Sequence, residues 1–535
     1  MNAFKINITM PKSAKKIFLI IAILPMLVAS QHTTNLKLDP TLLVLLKECQ
    51  NITNQLSKEL YPNWEFKKTP VLFYKPNVQE LLVNFPHKPD GFDEYDGFNP
   101  LKGQTIYVRT GSTYISYDDQ NTTTEIDGVK VLVVADTYSS MRNQLRGAIM
   151  NQPKDFLNKW LDDWGFIGSP YHKLGTIIHE GFHVHQERLA KGKNANEASV
   201  SNYPFLDPVN NSLSVLEGLI LKDALLSNEE HVIQKKAKQF VAVRQYRQSL
   251  LDSTFVAYEN LNEFAEGTAK YIEYKFFSEG ENITPIDEMK YVNGFIDYKN
   301  TLPDFLKKEI EDMVNIVAVN DNRFGNKFGA GPLRFKLYYL GACQGLLLDR
   351  VMPQWKERIF DKEVYLSNLL QESFNLTTNQ LSNLLQETKL EYDYNTIFNS
   401  KLEFKKKGKK VIQEKVDAII ADPNKTLIVF DYQGYKITGM NYTPFGVTKV
   451  DDNSIIYEMV PVGVYFDKGL NLISKTPFPL LINKKEEKIY FSINTPINEF
   501  NKGKTDKITH NDFEINATEF HIKKENNKVI MTFKQ

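Results

Sequence analysis

The stretch Tyr171 to Leu189, YHKLGTIIHEGFHVHQERL, constrains this chain more than any other. Leu174, Ile177, Ile178, Phe182 and Leu189 recur at helical spacing, with Lys173, Gln186, Glu187 and Arg188 free to face water, which predicts an amphipathic helix. On that helix His179 and His183 lie four residues apart and share a face, so both imidazoles can reach one metal ion. Glu180 is one residue on, where its carboxylate can reach a water on that metal without being a ligand, the position of a general base. Gly181 costs a helix ~1 kcal/mol relative to alanine, so its place inside the motif predicts close packing against a neighbour. His185, two after His183, points elsewhere, and His172 opens the helix as a cap, a substrate contact or a loop residue. Matches to H-E-x-x-H also arise by chance in ordinary helices, and a third ligand is what separates the two cases.

A second acidic centre lies downstream, in the helix predicted over Thr254 to Phe277. Glu259, Glu263 and Glu266 stand at i, i+4 and i+7, on one face of a regular helix. Like charges at that spacing repel, and the repulsion is relieved either by water or by a divalent cation with its histidine ligands.

The run Ala265-Glu266-Gly267-Thr268-Ala269-Lys270-Tyr271-Ile272-Glu273 resembles the glutamate-ligand segment of gluzincin metallopeptidases, the thermolysin-like and aminopeptidase-like H-E-x-x-H zincins. The resemblance implies Glu266 as the ligand, one zinc ion per chain on His179, His183 and Glu266, and Glu180 as the base that takes a proton from water and passes it to the leaving amine. Glu263, one turn before Glu266, is then the partner for a histidine N–H; the thermolysin-like pattern, with an acid four residues after the ligand, implies the competing assignment of Glu259 as ligand and Glu263 as its orienting carboxylate. The resemblance also implies a Tyr or His that stabilises the oxyanion, and Tyr338 and Tyr339, in the apolar stretch LRFKLYYLGACQGLLLDRVMPQW, are the candidates. The chain departs from the aminopeptidase form in its spacer: 82 residues separate His183 from Glu266. That leaves the subfamily unassigned.

Compartment follows from the N-terminus. Lys5, Lys12, Lys15 and Lys16 precede an apolar run, Ile17 to Ser30, that ends in small residues, which predicts a secretory signal peptide over residues 1–30. The run is too short for a comfortable membrane span, so no stable membrane insertion is expected after its removal. The rest of the chain holds 61 basic against 65 acidic residues, a net charge of −4, which offers no basic footprint for nucleic acid. Only Cys49 and Cys343 are present, so either one bridge or two free thiols is possible. N-x-S/T sequons recur at Asn51, Asn121, Asn210, Asn282, Asn375 and Asn516.

At 535 residues the chain is long enough for two or three domains. A helix is predicted from Asp39-Pro40 to about Leu56. β-branched and aromatic runs between turn residues then predict a mainly antiparallel sheet over about 60–137, including Thr113 to Tyr117, with Asp127-Gly128 as a hairpin turn. Helical periodicity dominates 138–423, beginning with Thr137 to Met150 and Asp155 to Asp163. Strand-like runs return over 424–535, where a β-sandwich or barrel-like module is expected. The basic run Lys401 to Lys410 reads as a solvated linker or helix face.

The fold class is therefore α+β: a zincin-like metallopeptidase with a mixed β-sheet N-terminal lobe, a mainly helical active-site lobe, the two together spanning 31–423, and a C-terminal β-rich module. The implied function is a secreted or periplasmic zinc peptidase acting on peptides or proteins, with Val129 to Ala135 as a strand that pairs with extended substrate. The rival readings are a zincin fold acting on another substrate class or without peptidase activity, and a surface or binding protein in which H-E-x-x-H is incidental.

Overall fold

The computed structural model describes residues 35–75, 77–111, 122–136, 169–321, 326–500 and 504–533. The expected leader, the strand at 113–117 and the helices at 137–150 and 155–163 lie outside the described residues.

The chain is an α+β protein. Helix α1 (Thr41–Leu60) leads into a six-stranded mixed sheet of β1 (Val71–Lys75), β2 (Gln79–Val83), β3 (Asp93–Glu94), β4 (Ile106–Thr110), β5 (Thr122–Ile126) and β6 (Val129–Ala135). The strand order is β3-β4-β2-β1-β6-β5. Only β1 and β6 run parallel; β5 and β6 form a hairpin in which Asp127 and Gly128 take positive φ of 47° and 76°, the geometry that an Asp-Gly pair tolerates best.

Alternation explains why the strands read as continuous apolar runs. Val71, Phe73, Leu132 and Val134 point into the main core with the helices, while Leu72, Tyr74, Val131 and Val133 face a smaller cluster with Phe85 and Phe92 on the opposite side. Both faces of the central strands are covered. The strand expected to pair with substrate, β6, is flanked by β1 and β5, so its backbone groups are already spent within the sheet. Among the described residues β5 is the open edge on that side.

Helix α2 (Pro170–Leu189) carries the H-E-x-x-H motif and lies against β5 and β6. Gly181 fits under the Phe66 ring, where an added Cβ would come within 2.4 Å of Cε2, so the glycine is demanded by packing. Next along the chain come α3 (Pro208–Leu225), α4 (Glu230–Ser249), α5 (Ser253–Asn262), α6 (Thr268–Glu279), α7 (Leu302–Val317), α8 (Ala330–Val351), α9 (Leu366–Glu372), α10 (Thr378–Glu391) and α11 (Tyr394–Ile420). The basic run at 401–410 lies within the 27-residue α11, so it is a helix face. Cys49 on α1 and Cys343 on α8 are both buried free thiols. No helix among the described residues is long and apolar enough to cross a membrane.

The α5 and α6 segments form one helical rod interrupted by a π turn, Glu263–Gly267. Against it crosses α8, with glycine on both sides: a Cβ on Gly267 would lie 2.6 Å from the Gly341 Cα, and one on Gly341 would lie 2.6 Å from the Gly267 Cα.

Residues 426–533 form an eleven-stranded sheet. Ten of its strands follow one another in a single hydrogen-bonded path, and the eleventh, Lys504–Thr509, pairs off that path. The 13-residue strand Phe513–Glu525 pairs with Asn471–Ser474, Lys504–Thr509 and Lys528–Phe533. The core of this sheet also takes in Tyr203, Tyr258, Leu333 and Leu337 from the helical region. The β-rich part therefore shares its core with the helices that carry the site.

Candidate metal centre

Helix α2 places His179 and His183 one turn apart, with ring centroids 4.9 Å from each other. Facing them is Glu266, inside the π turn. Its Oε2 lies 3.6 Å from His179 Nε2 and 3.3 Å from His183 Nε2. These separations exceed an ordinary charge-assisted hydrogen bond, about 2.7–2.9 Å. They match the edge of a tetrahedron around an ion with bonds of ~2.0–2.1 Å, where neighbouring ligand atoms stand about 3.3 Å apart. Glu180 is also near the imidazoles: ligand atoms of His179, Glu180 and His183 lie within 4.8 Å of one another, a group that could hold a metal ion.

Which imidazole nitrogens face Glu266 depends on what the other nitrogens touch. His179 Nδ1 is 2.7 Å from Glu273 Oε1. A carboxylate only accepts, so Nδ1 carries a proton, and in the neutral ring Nε2 is the nitrogen that keeps its lone pair. His183 Nδ1 is 2.7 Å from Gln186 Oε1. The Gln186 amide cannot be turned round, because its Nε2 donates to the Phe264 and Ala265 carbonyls, at 3.1 and 2.9 Å, and to Thr268 Oγ1 at 2.7 Å. His183 therefore carries its proton on Nδ1 as well. Both Nε2 lone pairs converge on the place that Glu266 faces.

The electrostatics favour a cation there. Burial works against a charged His179, but Glu266 and Glu273 outweigh it and raise its pKa to about 10. Burial pushes the Glu180 carboxyl up, opposed by the two imidazoles. Burial also opposes the charged form of Glu266, yet its two histidine neighbours and Arg334 hold it well below the usual carboxylate range. Arg334 on α8 donates to Glu266 Oε1 at 3.0 Å, leaving Oε2 for the histidines, and its other nitrogen is bound by Glu197. Glu273 is held in turn by Lys270 at 2.8 Å, which also meets Glu309 at 2.9 Å.

Tyr338 lies parallel to the His179 ring, 6.1 Å between centroids and 15° between planes. Burial and then the neighbouring Glu266 charge keep its hydroxyl protonated far above the usual tyrosine range. Tyr339, the next residue, turns to Tyr274 and Lys270 instead. It is not brought to the histidines.

Neither Glu259 nor Glu263 faces the histidines. Glu259 accepts from Arg247 at 2.8 and 2.7 Å, and Glu263 is gripped by Arg244 through contacts of 2.9 Å. The role sought for Glu263, receiving a histidine N–H, is taken by Glu273. A regular helix would put residues 259, 263 and 266 on one face, but the π turn begins at Glu263 and shifts the phase of the residues after it. Periodicity carried a signal for Glu273, seven residues after Glu266 and so on its face. Gln186 sits three after His183, a spacing that does not by itself separate it from a solvent-facing residue. Arg244 and Arg247 give no sequence signal of their pairing.

The remaining histidines of α2 pack among aromatic side chains. His185 is packed among Tyr61, Trp64, Phe182 and Phe360. Burial, with Arg188 beside it, lowers its pKa to about 4. His172 lies between Phe277 and Phe305, with Nε2 3.8 Å from Glu309.

No protein-family model, no curated protein and no solved structure matches this chain.

Proposed function

We propose that this chain is a zinc-dependent peptidase of gluzincin type, with a zincin-like catalytic region and an extracytoplasmic place of work. One observation carries the reading: two Nε2 lone pairs, their tautomers set by acceptors on Nδ1, meet Glu266 Oε2 at 3.3 and 3.6 Å. Two histidines and one carboxylate leave an open fourth position, as catalytic zinc sites do. Zinc bound there supplies a Lewis acid and lowers the pKa of water.

The chain's own residues do the rest. Glu180 takes the proton of the attacking water as its oxygen adds to the scissile carbonyl carbon. It then delivers that proton to the leaving amine nitrogen as the C–N bond breaks. Its position beside the imidazoles and the push of burial on its carboxyl suit a group that must hold a proton briefly. The Tyr338 hydroxyl, kept protonated, donates to the oxygen that becomes negative. β5, beside α2 and the edge of the sheet among the described residues, is the strand assigned here to pair with an extended peptide.

The test is Glu180→Gln in the full chain loaded with zinc. The variant should keep one zinc per chain by elemental analysis while cleavage of a peptide library falls by about 10²–10⁴-fold, the usual contribution of a general acid–base group. Undiminished cleavage overturns the mechanism, and a wild-type protein that binds no zinc overturns the metal centre itself.

A further inference from the structure

Beside the histidines that face Glu266, one further side chain of the H-E-x-x-H helix, Gln186, reaches into the π turn. Gln186 is buried, 5% exposed, and every polar atom of its amide is engaged. Its oxygen takes the Nδ1 proton of His183 at 2.7 Å, and its nitrogen reaches the Phe264 and Ala265 carbonyls at 3.1 and 2.9 Å. Those carbonyls belong to the two residues immediately before Glu266, within the turn Glu263–Gly267. Thr268 completes the knot, accepting from Gln186 at 2.7 Å and donating to the Phe264 carbonyl at 2.6 Å.

We propose that Gln186 is a positioning residue that couples the two halves of the metal centre, fixing the tautomer of His183 and the backbone that aims Glu266 through one amide. The inference rests on the proposed metal centre and goes beyond it in one respect. If His183 and Glu266 are linked through Gln186, disturbing either end of the amide disturbs both ligands. A carboxamide is the only side chain of this length with an acceptor at one end and donors at the other. Glutamate keeps the acceptor for His183 but turns an oxygen toward two carbonyls; methionine removes both ends while keeping the length. Partners of this kind, one bond away from the ligands, typically change metal affinity by about 10–100-fold.

The experiment measures Co²⁺ binding to metal-free full-length protein by competition with a chelator. The visible absorption of bound Co²⁺ reports coordination, and thermal melting of the metal-free proteins reports folding separately. Gln186→Glu and Gln186→Met are both expected to bind Co²⁺ about 10–100-fold more weakly than wild type, with an altered visible spectrum. Wild-type affinity and spectrum in Gln186→Glu would overturn the coupling, because the acceptor for His183 would then suffice. Lowered melting with unchanged affinity in both variants would reduce Gln186 to a packing residue and overturn it too. Should Gln186→Met fail to fold, Gln186→Glu and the nitrogen NMR of the zinc-loaded wild type still decide: His183 bound to zinc through Nδ1, with its proton on Nε2, refutes the arrangement. Wild-type protein that binds no Co²⁺, or binds it equally after His179→Ala, marks a different failure, that of the metal centre on which the inference rests.

Discussion

The rod formed by α5, the π turn and α6 has two acidic sides with opposite fates. On one, Glu259 and Glu263 are locked to Arg247 and Arg244, and both arginines also bind Glu217. On the other, Glu266 and Glu273 face the imidazoles of His179 and His183. Burial separates them only by degree: the Glu259 and Glu263 side chains are 0% and 1% exposed, those of Glu273 and Glu266 9% and 16%. The difference lies in the partner. A guanidinium is always charged and offers only donors, so a glutamate held by it is a permanent part of the scaffold. An imidazole whose Nδ1 is occupied keeps a lone pair on Nε2, so a glutamate opposite it shares a place where a cation can enter. Buried carboxylates of one helix are thus divided into structure and chemistry by what faces them.

The largest expected effect breaks the structural side. Arg247→Ala leaves Glu259 buried without its guanidinium, and loss of one partner from a buried pair costs about 3–5 kcal/mol. Denaturant unfolding should show that loss, while zinc content per folded chain stays near wild type.

A crossed pair of variants sharpens the contrast. Glu266→Ala should abolish stoichiometric zinc binding yet cost the metal-free protein less stability than Arg247→Ala. Glu259→Ala should do the reverse, retaining zinc while lowering stability. Retention of zinc by Glu266→Ala would place the third ligand elsewhere.

The smallest effect is a pH dependence on the structural side. Burial opposes the charged form of Glu259, but Arg247 more than compensates and lowers its pKa to about 2 from a reference of 4.5. A carboxyl depressed in the folded state binds protons more readily when unfolded, so its contribution is present above about pH 4.5 and is lost as pH falls toward 2. Glu263 behaves differently: burial raises its pKa, and Arg244, shared with Glu217, offsets this only in part. The stability of wild type relative to Glu259→Gln should therefore shrink between pH 4.5 and 2, measured by unfolding at fixed salt. A constant difference across that window would show that Arg247 does not hold the carboxylate charged.

Much of the molecule is legible in its sequence. Spacing alone puts His179 and His183 on one face, because four residues make about one helical turn. The glycine inside the motif announces a close neighbour, and Phe66 is that neighbour. The β-rich texture before the helices and after them reports the two sheets, since strands covered on both faces or packed on a core select β-branched and aromatic residues.

What the sequence could not determine is the phase of one helix. Glu259, Glu263 and Glu266 are equivalent to any rule that assumes regular periodicity, and their sorting depends on a wide turn starting at Glu263. Tertiary packing surrounds that turn: Gly267 lies against Gly341, Arg244 holds Glu263, and Gln186 takes the carbonyls before Glu266. These partners come from α8, α4 and α2, far apart in the chain, and none is implied by local propensity. His179, Glu180 and His183 are set by local helix geometry and can be read from the chain. The carboxylate that faces them is set by packing across four helices, which only the folded molecule decides.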